Sequence, residues 1–209
     1  MHFGGTVRRL HHNHHWRYGV LAQFFNVGAQ VCTWTYIVLY VKDVVPGGTA
    51  VKGAYFLQVS LILFFISRFV MTWLMGYIRA TKLLAIMASL AVLLCLYAAF
   101  VPGLSGAWGL VGVSACLSLM FPTIYGVALH GLGVDTKFAA AGLVMAIVGG
   151  AIMPPIQGLL SDQWGVAPAF VVAAVCYVGV LVYAIYDLRS HDRFADVPEE
   201  EPKISMTGH

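Results

Sequence analysis

Six long apolar runs leave this chain few ways to fold. They cover about 18–41, 53–78, 83–101, 104–130, 138–160 and 166–187, each between 19 and 27 residues long. A helix needs about 20 apolar residues to cross the hydrocarbon core of a bilayer, so each run predicts a spanning helix with its own tilt. The breaks carry turn chemistry: Val45-Pro46-Gly47-Gly48, Arg79-Ala80-Thr81-Lys82, Pro102-Gly103, Gly131–Lys137 and Ser161-Asp162-Gln163-Trp164-Gly165. Only 10% of the residues are charged and 60% are hydrophobic, where a soluble domain carries about 25% charged residues. The sequence predicts an all-α integral membrane protein of six transmembrane helices over 18–187. A basic, His-rich segment (1–17) precedes it and a polar tail (188–209) follows.

Charge placement sets the expected orientation. Six spans put both termini on one side, with Arg8, Arg9, Arg17, Arg79, Lys82, Lys137, Arg189, Arg193 and Lys203. The other side holds Lys42 and Lys52, and Arg68 lies within a span. The positive-inside rule then predicts a multi-pass protein of the plasma (inner) membrane with both termini cytoplasmic. Trp16, Trp73, Trp108 and Trp164 fall near span ends, as interfacial anchors do; Trp34 is well inside its span.

The net charge of +3 is too small to point to nucleic acid. Cys32, Cys95, Cys116 and Cys176 all sit in apolar runs and predict buried thiols rather than a disulfide framework. The first 15 residues have no apolar core and do not read as a signal peptide. His11, His12, His14 and His15 form a cluster without accompanying Cys, Asp or Glu, so a solvated juxtamembrane segment is the reading and no metal site is expected. No nucleophile–base pair, metal-ligand spacing or phosphate loop appears. Neither an enzyme nor a cofactor is expected.

The spans carry polar groups that lipid does not want. At about 100° per residue, Gln23, Asn26, Gln30, Thr33 and Trp34 share one face of the first helix. Carboxamides donate and accept, and an indole offers an apolar plate, which together suit a neutral polyhydroxy ligand such as a sugar. Hydrogen bonds to a neighbouring helix are the alternative use of such groups. Arg68 lies about ten residues, roughly 15 Å, from the end of the second run at 78. An Arg at mid-helix costs about 2.5–3.5 kcal/mol on insertion scales and so should face a cavity or a partner. Phe64 is one turn away on the same face.

The fourth span places Ser114, Ser118, Phe121 and Tyr125 on a second partly polar face, with Pro122 interrupting its backbone bonding. The fifth contains Gly142, Gly149, Gly150, Pro154, Pro155, Gln157 and Gly158. The glycines permit close helix approach, and the paired prolines predict a bend or break of the kind transporters use near the midplane. Pro122, Gly149, Gly150, Pro154 and Pro155 are therefore the candidate hinge positions. No Asp or Glu lies in the interior of a span. Proton relays normally use buried carboxylates, so the residues that would couple protons are not visible in this chain.

Several stretches resemble the fucose permease group of the major facilitator superfamily. The first span from Phe24-Phe25-Asn26-Val27-Gly28-Ala29-Gln30 through Val31-Cys32-Thr33-Trp34-Thr35-Tyr36 is similar to the group's seventh span. The likeness continues through Ser67-Arg68-Phe69-Val70-Met71-Thr72-Trp73-Leu74, Phe121-Pro122-Thr123-Ile124-Tyr125 and Gly131-Leu132-Gly133-Val134-Asp135-Thr136-Lys137. It ends with Gly149-Gly150-Ala151-Ile152-Met153-Pro154-Pro155-Ile156-Gln157-Gly158.

The resemblance implies the second six-helix half of a proton:sugar symporter, built of two three-helix repeats. Its substrate would be L-fucose, galactose, glucose or a related monosaccharide. It also implies that Trp34, Phe64 and Arg68 line a central cavity, with Gln23, Asn26 and Gln30 on the same first helix. Three departures stand out. The first half, with the group's coupling acids, is missing. Phe121 stands where the group has a cavity tyrosine. The loop Gly76–Lys82 lacks the superfamily's acid. The expected partners are a monosaccharide, protons, the lipid bilayer and a separate N-terminal six-helix half. The alternatives are an inactive or truncated fragment acting only as a helical partner, and a homodimer of two such halves.

Overall fold

The computed structural model describes residues 14–130, 132 and 136–195, with the side chains of 191–195 undescribed. Arg8, Arg9, His11, His12, the tail beyond 195 and most of the Gly131–Asp135 turn lie outside the described residues. The first span is α1 (His14–Val44), the second α2 (Ala50–Leu74), the third α3 (Ala80–Phe100) and the fourth α4 (Leu104–Leu129). The fifth is α5 (Thr136–Met145), a 3₁₀ turn (Ala146–Val148) and α6 (Gly149–Trp164); the sixth is α7 (Val166–Ala169) and α8 (Val171–Ala195). Among the described residues, six helical segments are long and apolar enough to cross a membrane.

The helices outrun or fall short of the apolar runs where local chemistry dictates. The first turn of α1 takes in His14-His15-Trp16-Arg17, because nothing in that sequence breaks a helix. The chain turns at Pro46-Gly47, where Gly47 has φ +67° and no Cβ to strain. Thr49 then caps α2, its hydroxyl accepting from the Lys52 backbone N–H at 3.2 Å. Helix α2 stops at Leu74, ahead of Gly76, and short turns carry the chain to α3.

Successive spans run antiparallel, with α1 at the centre. It packs on α2, α4, α6 and α8, while α3 packs on α4 and α8. Lipid is as apolar as leucine, so close packing rather than water exclusion selects these contacts. Small residues make the approach possible: Ala29, Ala88, Ala91, Ala98, Ala107 and Ala173 are all buried. A Cβ at Gly53 would lie 2.6 Å from the Val38 carbonyl oxygen. Between them sit the large buried groups Ile37, Tyr40, Leu110, Leu117, Phe170 and Tyr177. Tyr40 donates its hydroxyl to the Ala98 carbonyl at 2.8 Å, fastening α1 to α3. All four cysteines are free and buried.

Candidate functional site

The polar stripe of α1 divides in the folded bundle. Gln23 and Asn26 are fully buried, and neither carboxamide has a hydrogen-bond partner among the described residues. Thr33 is buried too, donating to the Ala29 carbonyl at 2.8 Å with the Tyr177 hydroxyl 3.4 Å away. Gln30 and Trp34 remain half-buried. A polar atom buried without a partner costs about 1–3 kcal/mol. Gln157 of α6, read in the sequence only as part of a small-residue span, is likewise fully buried and unpartnered.

Trp34 joins three helices. Its indole N–H donates to Ser114 Oγ on α4 at 3.2 Å. Its ring meets Phe64 of α2 edge-on, with centroids 5.2 Å apart and planes at 89°. Such a pair adds about 0.5–1.5 kcal/mol beyond its area and fixes the indole in place. On α4, Phe121 and Tyr125 stack with centroids 6.3 Å apart, both half-buried. Ser118, next to this face, spends its hydroxyl on the Ala115 carbonyl at 2.8 Å.

Arg68, one turn beyond Phe64, is exposed. Its guanidinium has no hydrogen-bond or ionic partner among the described residues, although its backbone carbonyl accepts from the Thr72 hydroxyl at 2.7 Å. Because α2 ends at Leu74, Arg68 lies six residues from the helix end, about 9 Å. That is closer to the interface than the apolar run predicts. The helix of which it is part buries only Gly53, Ser60 and Ser67, all small. Arg68 therefore stands on a face that no part of the bundle covers.

The candidate hinge positions sit in differing surroundings. α4 continues through Pro122 as one helix. Pro154 and Pro155 also lie within an unbroken helix, α6, and the irregular turn comes earlier, at Ala146–Val148. That turn adjoins a close main-chain contact with α1: a Cβ at Gly149 would collide with the Phe24 carbonyl, and one at Gly28 would reach Met153 Cγ at 2.5 Å. The Pro154 carbonyl, beside two prolines that lack N–H groups, accepts from the Tyr36 hydroxyl at 3.0 Å. Glycine here serves close packing, and a side chain from α1 steadies the proline pair.

Tryptophan placement differs at one end. Trp73, Trp108 and Trp164 are exposed near helix ends. Trp16 instead donates to the Ala139 carbonyl at 3.1 Å and lies over Gly142, so it joins α1 to α5. Asp187, the last residue of the sixth apolar run, is fully buried, with His15 Nε2 2.6 Å from one oxygen and Thr81 Oγ1 donating to the other at 2.7 Å. No local pattern in the sequence ties it to either residue.

No protein-family model matches the chain. It is 39% identical over 183 residues to the L-fucose-proton symporter of Escherichia coli, an overlap of 87% of this chain and 42% of that protein. The glucose/galactose transporter of Brucella abortus is 34% identical over 185 residues, 84% of this chain and 44% of that one. A solved major facilitator superfamily transporter in the outward conformation superposes with a TM-score of 0.87 at 38% identity, over 88% of this chain and 45% of its own. A structure of the Escherichia coli fucose:proton symporter gives 0.84 and 37%. The chain spans about half the length of the relatives it matches.

Proposed function

The chain belongs to the major facilitator superfamily, and from that premise we propose that it forms the second six-span half of a proton-coupled monosaccharide transporter. The observation that carries this reading is Arg68 standing exposed on the uncovered face of α2, one turn from the Trp34–Phe64 pair. A guanidinium on a spanning helix is stable against a polar cavity or a protein surface and costly against lipid. A second six-span half on that face supplies both, with the substrate held between halves near the midplane.

The chemistry fits a sugar. The indole of Trp34 offers a flat apolar plate for the C–H face of a pyranose. Gln30 donates and accepts, Arg68 donates, and Tyr125 contributes a hydroxyl beside the Phe121 ring. Gln23 and Asn26 lie deeper on the same helix and would reach a ligand only after α1 and its neighbours part. Phe121 in place of a tyrosine removes one hydroxyl and so biases the choice among L-fucose, galactose and glucose. Pro122, Gly149, Gly150, Pro154 and Pro155 are the positions at which the half would flex. Rocking of the two halves exposes the site to each side in turn, with no covalent step. Lysine and arginine placement supports an orientation with both termini on the cytoplasmic side of the inner membrane.

Uptake of labelled L-fucose, galactose and glucose into vesicles is the test, with the chain alone and with a companion N-terminal half. The expected result is uptake of one sugar only when both halves are present, abolished by Trp34→Ala. Absence of uptake and of binding with every companion half overturns the proposal. A second reading is favoured by the overlap of only 42% to 45% with the relatives: the chain acts as a helical partner without transport of its own. Uptake by the paired halves that is indifferent to Trp34→Ala and Arg68→Ala would select it.

A further inference from the structure

An ionised carboxylate leaves water only when it is paired and hydrogen-bonded. Asp187 meets that requirement through two other helices. Thr81, in the first turn of α3, donates to Oδ2 at 2.7 Å, and His15, in the first turn of α1, lies 2.6 Å from Oδ1. Asp43 and Asp162, the other acids with described side chains, are exposed at the opposite end of the bundle. One turn before Asp187, the Tyr183 hydroxyl is buried without a partner among the described residues, its ring centroid 6.0 Å from that of His15.

This buried group is within reach of water on two sides. The His15 side chain is 28% exposed against 1% for Asp187. Thr81 forms part of the wall of a cavity of about 240 Å³ shared with Met75, Thr123 and His130. A histidine side chain, which can bind or release a proton, here lies against a buried carboxylate.

We propose that His15, Asp187 and Thr81 form a proton-binding site in this half, apart from the proposed sugar face. A proton arrives from water at the exposed edge of the imidazole and returns there. While it is bound, imidazolium and carboxylate make an ion pair that holds α1 to α8, with Thr81 extending the tie to α3. When it leaves, the charge–charge attraction is lost, and the buried, still-ionised carboxylate is held by hydrogen bonds from the neutral imidazole and from Thr81. Among the described residues, the other titratable and charged groups at this end are His14, Arg17 and Tyr18 on α1, Tyr183, Tyr186 and Arg189 on α8, Arg79 and Lys82 beside Thr81, and His130 across the cavity. Asp187 is the anion that faces the imidazole. Because α1 also carries Gln30 and Trp34, occupancy of the site bears on the placement of the sugar face. That last consequence rests on the proposed transport function; the proton site does not.

Nuclear magnetic resonance of histidine- and aspartate-labelled full chain in lipid nanodiscs tests this without any sugar, with His15→Gln assigning the resonance. The His15 and Asp187 signals are expected to change together as the pH is varied. Asp187→Asn should weaken proton binding at His15 by about tenfold or more. Thr81→Val should act in the same direction by less. A His15 titration that is absent, independent of the Asp187 signal, or identical in the native and Asp187→Asn chains overturns the proposal. If Asp187→Asn fails to fold, co-titration of His15 and Asp187 in the native chain decides alone. Loss of sugar uptake with the proton titration intact would count against the transport reading and not against this site.

Discussion

Helices α2 and α4 are nearly equal in length and both are apolar enough to span a bilayer, yet they meet opposite surroundings. α4 buries fifteen of its 26 residues, including Leu110, Leu117 and Met120. α2 buries three of 25, and its large side chains, among them Ile62, Phe65, Ile66 and Phe69, point outward. Hydropathy reports whether a helix prefers hydrocarbon to water and is silent about which neighbour covers it. Small residues at the contact mark the covered sides here. The polar group on the bare side, Arg68, marks a surface that lipid does not satisfy.

That contrast can be broken by paired substitutions. Leu110→Ala in α4 should cost about 2 kcal/mol or more through lost packing, whereas Ile62→Ala on α2 should stay within about 0.5 kcal/mol. Equal losses in denaturant titrations of the reconstituted chain would mean that α2 is packed in the bilayer as tightly as α4. Trp34→Ala, at the junction of both helices, should weaken sugar binding by the paired halves at least about tenfold, or about 1.4 kcal/mol. Far-ultraviolet circular dichroism should show an unchanged helix content in that variant. A change in helix content with unchanged affinity would make Trp34 structural.

Smaller effects sharpen the same contrast. Removing the hydroxyl that reaches the Ala98 carbonyl, by Tyr40→Phe, should cost about 1 kcal/mol; Tyr55→Phe on the exposed side of α2 should cost nothing measurable. Thr49→Ala removes the cap of α2 and should cost about 0.5–1 kcal/mol, read as fraying of the first turn by amide hydrogen exchange. Equal protection in both chains would show that bilayer insertion, rather than the cap, sets where α2 begins.

Much of the architecture was legible because the spans are long and the turns carry Pro, Gly and charge. The nearness of Trp34 and Phe64 was implied by the resemblance to the fucose permease group, and their edge-on contact is a feature of the fold. The fate of the carboxamides did not, since Gln23, Asn26 and Gln30 share one phase angle but only Gln30 stays half-open. Which part of a stripe is covered depends on where neighbouring helices cross it, and no local pattern encodes a crossing. The irregular turn in the fifth span was misplaced for a related reason. Proline marks missing donors, while the change of pitch occurs beside a close main-chain approach of two helices, at Gly149. His15, Thr81 and Asp187 come from three stretches far apart in sequence, so only the fold reveals them as neighbours.

The meeting of Gly149 with the Phe24 carbonyl has a mechanical side. Where two helices touch through side chains, rotamer changes can absorb a shift of one against the other. Here main chain rests on main chain, and there is no soft element between them. A shift of α1 against α6 at this point would therefore have to move main chain rather than a rotamer. The contact ties the helix that carries the indole to the helix that bears the outward-facing Ile152, Ile156 and Leu159.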